Sequence, residues 1–410
     1  MSDLRIPRGQ TATLDRVEGS LRVGNGATVQ ASNGKTMVVT QGVYFEGSAK
    51  VNGNLECDLL ECHRGRLEMN GNLTVCKRLD VGHSIQVQGA VKAEDIDVGG
   101  KIFAQTVNCN RMRVGGHADI ENAFEASSVE VGGKFSAAGL VKIGDLHVGG
   151  EVEVGGGSIS GHIRVGGKFS SKSAVEFGEL LVYGKGFLPA GCKGHRVSTF
   201  GKLEVDGNLT CDYIEVGGVV ELHGDCHAER VEVGGKFEVN GSVYVSDRLE
   251  GYGQIEIGGN FEGSQIRVSG NLEVNQMIVK EEADISGKLE TAHGLKAKLV
   301  TVRSGSRCEG VLIGERVEVG KSSDLTFGGW GVNWAMRWAA EMATARVDDV
   351  YGREVVLGPM CRAERIFAEK VKLEQGSVAE QVTYTAELKV DFGAICEAPK
   401  KVDTLPKPPF

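Results

Sequence analysis

Proline, aromatic residues and long hydrophobic runs are all scarce in this sequence, and each shortage excludes a class of protein. With 7 Pro, 60 Gly and no Gly-X-Y period, the chain is not collagen-like. It has no run of 18 apolar residues, so the sequence predicts no membrane-spanning helix. A net charge of −9 argues against nucleic-acid binding. A hydrophobic content of 41% is too high for a disordered chain.

A 17-residue repeat accounts for the abundant glycine. The string Val-Gly-Gly, or a close variant, returns at a fixed step, which is the mark of a solenoid. The step is 17 residues in one long series and 16 from Val98 to Val114, and it resumes at 17 from Val268 to Val319. The long series consists of Val114, Val131, Val148, Val165, Val182, Thr199, Val216 and Val233.

Apolar residues recur at fixed positions of each repeat. With the opening Val as position 1, they lie at positions 5 and 7, 11 and 13, and 16 and the next 1. Pairs that are two residues apart indicate strands with one face turned inward. Each repeat is therefore predicted to contain three short strands. Glycines mark the corners between them, where we expect backbone conformations with positive φ.

Three strands and three corners predict a coil that closes a triangle, with successive coils paired as parallel strands. The predicted fold is all-β: a parallel β-helix with a triangular core. The left-handed hexapeptide helix needs a six-residue repeat. Because 17 is not a multiple of six, we favour the right-handed form. The pattern predicts an N-terminal tail (1–20), a main β-helix (21–320), a Trp-rich insert (321–346), further turns (347–396) and a Pro-rich tail (397–410).

The insert contains all three tryptophans of the chain. Trp330, Trp334, Trp338 and Met342 are spaced four apart, which predicts one face of a short helix. Two interpretations stay open for this face: it covers exposed core or strand edges of the β-helix, or it contacts a partner. A membrane-surface helix usually carries a basic polar face. The insert offers few basic residues, so a protein partner is favoured over lipid.

The ten Cys and nine His do not predict a metal site, because no Cys-x-x-Cys spacing occurs. Most of the Cys fall at inward positions, where a thiol serves as a small apolar side chain. Cys62, Cys76 and His63 are not assigned by the alignment. We expect no metal, no cofactor and no catalytic residue. The inward Cys are Cys57, Cys109, Cys192, Cys211, Cys226 and Cys308.

Charged residues form rows on the outward positions of the repeat. Lys recurs at position 4, as in Lys134 and Lys236, and Glu recurs at position 6, as in Glu153 and Glu238. Two interpretations stay open. The rows form a solvated face that keeps the sheet surface soluble, or they dock one molecule laterally against another through complementary charge.

Units such as VGGKFSAAGLVKIGDLH (131–147) and TFGKLEVDGNLTCDYIE (199–215) resemble the bactofilins, a family of polymer-forming cytoskeletal proteins. The resemblance covers most of residues 21–320 and 347–396. It implies a triangular right-handed β-helix that polymerises end to end without nucleotide, and a scaffold that is often membrane-associated. The chain departs from the family in its much greater length and in its Trp-rich insert.

We therefore expect a structural polymer or scaffold, not an enzyme, whose partner is another copy of itself. A membrane surface or other scaffold proteins are further partners. The assembly faces are predicted near Leu21–Val23 and near Val390–Phe392, with Phe392 at the contact. The start of the sequence, MSDLRIPRGQ, lacks the apolar core of a signal peptide. We therefore expect a cytoplasmic protein with reduced thiols.

Two other functions stay open. One is a monomeric scaffold or binding protein whose ends are capped by the Trp-rich insert. The other is a β-helix enzyme that acts on polysaccharide or transfers acyl groups. Such an enzyme would need long loops to build a cleft, and turns of 16–18 residues leave little material for them.

Overall fold

The computed structural model describes residues 3–32, 35–321 and 344–410. The chain forms two compact units, Met1–Glu204 and Val205–Phe410. Each is an all-β parallel solenoid with ~17 residues per turn, and together they have about 22 turns. The described residues contain no α-helix.

Short and long strands alternate along the first unit after its first turns. In chain order, its strands are β1 (Leu4–Ile6), β2 (Thr11–Leu14), β3 (Arg16–Val17), β4 (Leu21–Val23), β5 (Thr28–Ala31), β6 (Thr36–Phe45), β7 (Ala49–Asn52), β8 (Asn54–Cys62), β9 (Arg66–Asn70), β10 (Leu73–Val81), β11 (Ser84–Val87), β12 (Ala90–Val98), β13 (Lys101–Ala104), β14 (Thr106–Val114), β15 (His117–Ile120), β16 (Phe124–Val131), β17 (Lys134–Ala137), β18 (Val141–Val148), β19 (Glu151–Val154), β20 (Gly157–Val165), β21 (Lys168–Ser171), β22 (Val175–Val182), β23 (Lys185–Pro189) and β24 (Cys192–Thr199). The next strand, β25 (Lys202–Asp206), contains the boundary between the units.

Longer strands dominate the second unit, where most of a turn is continuous strand from β31 onward. Its strands are β26 (Leu209–Val216), β27 (Val219–Leu222), β28 (Cys226–Val233), β29 (Lys236–Val239), β30 (Val243–Gly251), β31 (Gln254–Val268), β32 (Asn271–Ile285), β33 (Lys288–Arg303), β34 (Arg307–Lys321), β35 (Arg346–Leu357), β36 (Arg362–Leu373), β37 (Val378–Val390) and β38 (Ile395–Lys401).

The long strands of the first unit bend in the middle, which gives each turn three straight sides. Strand β10 pairs in parallel with β12 as far as Val75, and the register then shifts before pairing resumes at Arg78. The short strand β11 forms the third side and pairs with β9 and β13 on the neighbouring turns. The three-sided coil predicted from the repeat is thus confirmed.

The predicted inward columns are confirmed as well. In β11, Ile85 and Val87 are buried, whereas Ser84 and Gln86 beside them are only half-buried. The same alternation recurs on all three sides of the turns, so each turn contributes up to six side chains to the core. The largest core residues, all fully buried, include Phe124, Phe135, Phe169, Phe237 and Phe261.

Close approach between turns explains the Val-Gly-Gly corners. The prediction that these glycines need positive φ was wrong, since Gly132 and Gly133 are not among the residues with positive φ. A Cβ on Gly132 would lie 2.4 Å from the carbonyl oxygen of Gly115 on the turn before it. Positive φ does occur at the next corner of the turn, at position 9 of the repeat, in Gly156 (φ 130°) and Gly207 (φ 120°).

Asparagine and aspartate side chains tie some corners of adjacent turns together. The Asn54 side-chain oxygen accepts a hydrogen bond from the backbone N–H of Asn72 at 2.9 Å, and Asn72 does the same for Ala90 at 2.9 Å. In the second unit, Asp225 accepts from the N–H of Ser242 at 2.8 Å. These bonds satisfy corner N–H groups that have left the strand ladder.

Residues 1–20 do not form the predicted tail, because a complete turn begins at Leu4. Strand β1 pairs with β4 so that Leu4 lies beside Leu21 and Ile6 beside Val23. The physical reason is that Leu4 and Ile6 precede Leu21 and Val23 by one repeat, so the same columns continue. The first edge therefore lies at β1–β3, not at Leu21–Val23.

The last turns also extend further than predicted. Strand β38 pairs with β37, so strand structure reaches Lys401 and includes the start of the predicted Pro-rich tail. Strands β34 and β35 pair directly, so the insert joins two adjacent turns in the sequence. The predicted helix with Trp330, Trp334, Trp338 and Met342 falls in residues 322–343, outside the described residues.

The columns predict how two neighbouring residues differ in their effect on stability. Phe237 is fully buried, whereas Lys236 points outward and pairs with Glu238 at 2.9 Å. Phe237→Ala should lower the free energy of unfolding by roughly 3–5 kcal/mol, because it removes a large core side chain and leaves a cavity. Lys236→Ala should change stability little. Thermal and denaturant unfolding of both variants would check this, and similar losses would contradict the assigned columns.

Candidate assembly surfaces at the first and last turns

The first turn leaves its inward columns incompletely covered. Ala12 and Leu14 pair with Val29 and Ala31 of the next turn, and both of those partners are buried. Ala12 and Leu14 themselves are only half-buried. They occupy the same columns, so the difference arises because no described turn lies in front of them. The core of the first unit is thus open at this edge within the described residues.

The last turn shows the same exposure of core columns. Leu388 and Val390 in β37 pair with Val371 and Leu373 in β36, which are buried. Leu388 is half-buried, and Val390 is 47% exposed. Among the described residues, no strand pairs with this part of β37 on its other side. A strand edge and two core columns are therefore open together.

Phe392 lies beside this open edge, in the turn between β37 and β38. The Asp391 N–H donates to the Leu373 carbonyl at 2.9 Å, and Gly393 has a φ of 78°, so the chain reverses tightly here. Phe392 is 91% exposed. Val390 and Ile395, close to it in the chain, are 47% and 52% exposed.

Strand β38 itself is poorly suited to receive another strand. It carries Pro399, which has no N–H to donate, followed by Lys400 and Lys401. Proline and lysine on an edge strand discourage pairing with a further chain. The open side of the last turn is therefore the side formed by Glu387–Val390, next to Phe392.

The cysteines are mainly core residues, as their inward alignment predicts. Cys57, Cys109, Cys192, Cys211, Cys226 and Cys308 are all buried. Burial raises the pKa of Cys226 to about 12, with a smaller effect from Cys211, and it is also the main reason that the pKa of Cys308 is raised to about 12. Of the two unassigned thiols, Cys62 is buried and Cys76 is exposed. Within the described ranges, no group of three or more His, Cys, Asp or Glu could hold a metal ion.

A recess of about 490 Å³ lies on an outward side of the first unit. Lys101, His117 and Lys134 follow one another in register along it. Asp119 is the one carboxylate among its lining residues, so the recess does not bring two carboxylates together for acid–base catalysis. Lys101 and Lys134 give the recess two cationic side chains. The lining consists of Arg66, Ser84, Ile85, Gln86, Lys101, Ile102, Phe103, His117, Ala118, Asp119, Lys134 and Ser136.

Sequence reasoning named some of the residues at the open edges and missed others. Phe392 is the predicted contact residue that the structure describes. The first turn was missed, although the spacing of Leu4 and Leu21 carries its signal. Val390 belongs to the face predicted at Val390–Phe392, whereas Leu388 was missed as an open core column, because exposure at an end depends on where the last strand stops.

The fold and its two open edges define a class: a parallel β-solenoid whose end turns are not covered by described residues. No family model matches the chain, and neither a curated protein nor a solved structure matches it. In the part of the chain that the structure describes, no helix has the length and hydropathy needed to cross a membrane.

Thiol labelling tests the assignment of the cysteines to the core. Cys76 should react with a maleimide within minutes at neutral pH, because its side chain is exposed. Cys226 and Cys308 should stay unmodified until the protein is denatured, because they are buried and protonated. Mass spectrometry of peptides would locate the label. Rapid native labelling of Cys226 would contradict the inward assignment.

Proposed function

We propose that this protein is a structural, polymer-forming or scaffolding solenoid that assembles through the edges of its first and last turns, without nucleotide. The observation that carries the proposal is the exposure of core columns at both edges: Ala12 and Leu14 in the first turn, and Leu388 and Val390 in the last. Apolar columns and strand edges exposed together form a template for another chain.

The chemistry of the last turn supports a particular kind of joint. Val390, Phe392 and Ile395 offer apolar area, whereas β38 carries Pro399 and two lysines. Burial of the apolar residues would drive contact, and the edge from Glu387 to Val390 would supply hydrogen-bonding groups. No step of this contact needs a phosphate site or an energy source.

The repeat's resemblance to the bactofilins supports the same function. On that basis we also propose a right-handed coil, a cytoplasmic location and no enzymatic activity, with a membrane surface or other scaffold proteins as further partners. The buried, protonated thiols are compatible with a reducing compartment. The sequence between the paired strands β34 and β35 includes Trp330, and we propose this insert as the first candidate for a partner contact or a cap.

Charge placed in the joint should prevent assembly. Val390→Asp and Phe392→Asp would each bury an unpaired carboxylate when two molecules meet, which costs several kcal/mol. We expect wild-type filaments or end-joined oligomers by negative-stain microscopy and light scattering, with or without ATP or GTP. Both variants should give much shorter species, with unchanged β content by circular dichroism.

A matched control distinguishes end contacts from lateral ones. Tyr252 is 63% exposed in the turn between β30 and β31, away from the open edge. Tyr252→Asp should leave assembly intact. Equal disruption by this variant would indicate lateral association. A wild-type chain that stays monomeric at high concentration would favour the capped scaffold instead.

A further inference from the structure

An apolar stripe runs along the outside of the second unit. Ile313, Tyr351 and Phe367 lie in register on successive turns, and we call these three residues the apolar stripe. Their chain neighbours Leu312, Val350 and Ile366 point into the core and are buried. Because neighbours in a strand point to opposite faces, the stripe faces outward. The rings of Tyr351 and Phe367 stack with centroids 4.6 Å apart.

This stripe is covered, although it faces outward. Ile313 is 8% exposed, and Tyr351 and Phe367 are half-buried. The first unit provides a comparison, because Tyr183 and Phe200 also stack on its outside, at 5.7 Å. Those two residues are 56% and 58% exposed. Tyr183 and Phe200 lie in the corners after β22 and β24, whereas Tyr351 and Phe367 lie within strands. The near-complete burial of Ile313 on an outward side points to a segment that lies over the stripe.

Two hydrogen bonds, one near each end, identify residues 402–410 as that segment. The Val402 N–H donates to the Tyr384 carbonyl at 2.9 Å, which anchors the segment on the last turns. At its far end, Lys296 Nζ donates to the main-chain oxygen of Phe410 at 3.5 Å. These two anchors bracket the stripe, because Lys296 pairs with Ile313 and Thr383 pairs with Phe367.

The length of the segment fits the distance between its anchors. From Thr383 to Lys296 there are four steps between turns, or about 19 Å at ~4.8 Å per step. From Val402 to Phe410 there are eight residue steps, or about 25 Å at the ~3.1 Å per residue of a polyproline II helix. Pro406, Pro408 and Pro409 favour this extended form.

Some side chains of the segment are half-buried and the others are exposed, as expected of a peptide that lies on a surface. Val402, Leu405 and Phe410 are half-buried, and the residues between them are exposed. The Phe410 ring lies against Gly294, where a Cβ would come within 2.8 Å of the ring. Burial also raises the pKa of Tyr351, with a further contribution from Asp349, as expected for a phenol that is partly shielded from solvent.

We propose that the apolar stripe is a docking surface for an extended, proline-containing peptide with spaced apolar side chains, and that residues 402–410 occupy it within the same chain. The interaction is separate from the end-to-end assembly proposed above. Release of the segment would expose a lateral apolar surface. Ile278, which lies in the same column beyond Lys296, is already 41% exposed.

A peptide of residues 400–410, labelled with a fluorophore at its first residue, tests the docking. A chain that ends at Lys401 should bind this peptide saturably in fluorescence anisotropy. The full chain should bind it at least tenfold more weakly, because its own segment competes at an effective concentration in the millimolar range. A full chain with Leu405→Ser and Phe410→Ser should bind the peptide as the truncated chain does, and it provides the test if truncation impairs folding.

Two substitutions in the truncated chain provide matched controls. Phe367→Ser removes one ring of the stripe and should weaken peptide binding at least tenfold. Tyr183→Ser removes a ring of the exposed pair in the first unit and should leave binding unchanged. Circular dichroism would verify that both variants keep their β content. Equal binding by the full and truncated chains, or no saturable binding by either folded variant that lacks the docked segment, would overturn the proposal.

Discussion

The close contact between turns at the Val-Gly-Gly corners is the constraint on which this structure depends. Parallel strands require a spacing of about 4.8 Å along every column, and the corners must keep it as well as the sides. At Gly100 and Gly133, a Cβ would lie 2.1 Å and 2.5 Å from a carbonyl oxygen of the preceding turn. A side chain at either of these two positions would force the backbone of one turn to shift.

The distribution of buried and exposed residues in each unit follows from this contact between turns. A closed coil pairs its strands with the turns before and after it, so its sides carry no free strand edge. Edges and core columns can open only where the stack of turns stops. For this reason Leu14 in the first turn is only half-buried and Val390 in the last is exposed, although their counterparts Ala31 and Leu373 are buried.

The parts of the fold that repeat were predictable from the sequence, and the parts that occur once were not. Inward columns such as Ile85 and Phe237 follow from the period alone, because a side chain at the same position meets the same surroundings on every turn. The glycine corners were located correctly but for the wrong physical reason, since contact between turns is invisible in a single repeat. The docking of Phe410 near Lys296 joins residues 114 positions apart and has no periodic signal.

The outward charge rows bear on which surfaces remain for assembly. Lys134 lies 3.5 Å from Glu151 on the next turn and 3.7 Å from Glu153, and Lys172 lies 3.1 Å from Glu153. Lys134 and Glu153, one member of each row, are thus paired within one chain. Exposed ion pairs of this kind contribute about 1 kcal/mol or less, so they do little for stability. Charges that are already paired within one chain offer less to a second molecule, whereas the apolar groups at the open turns gain free energy when they are buried.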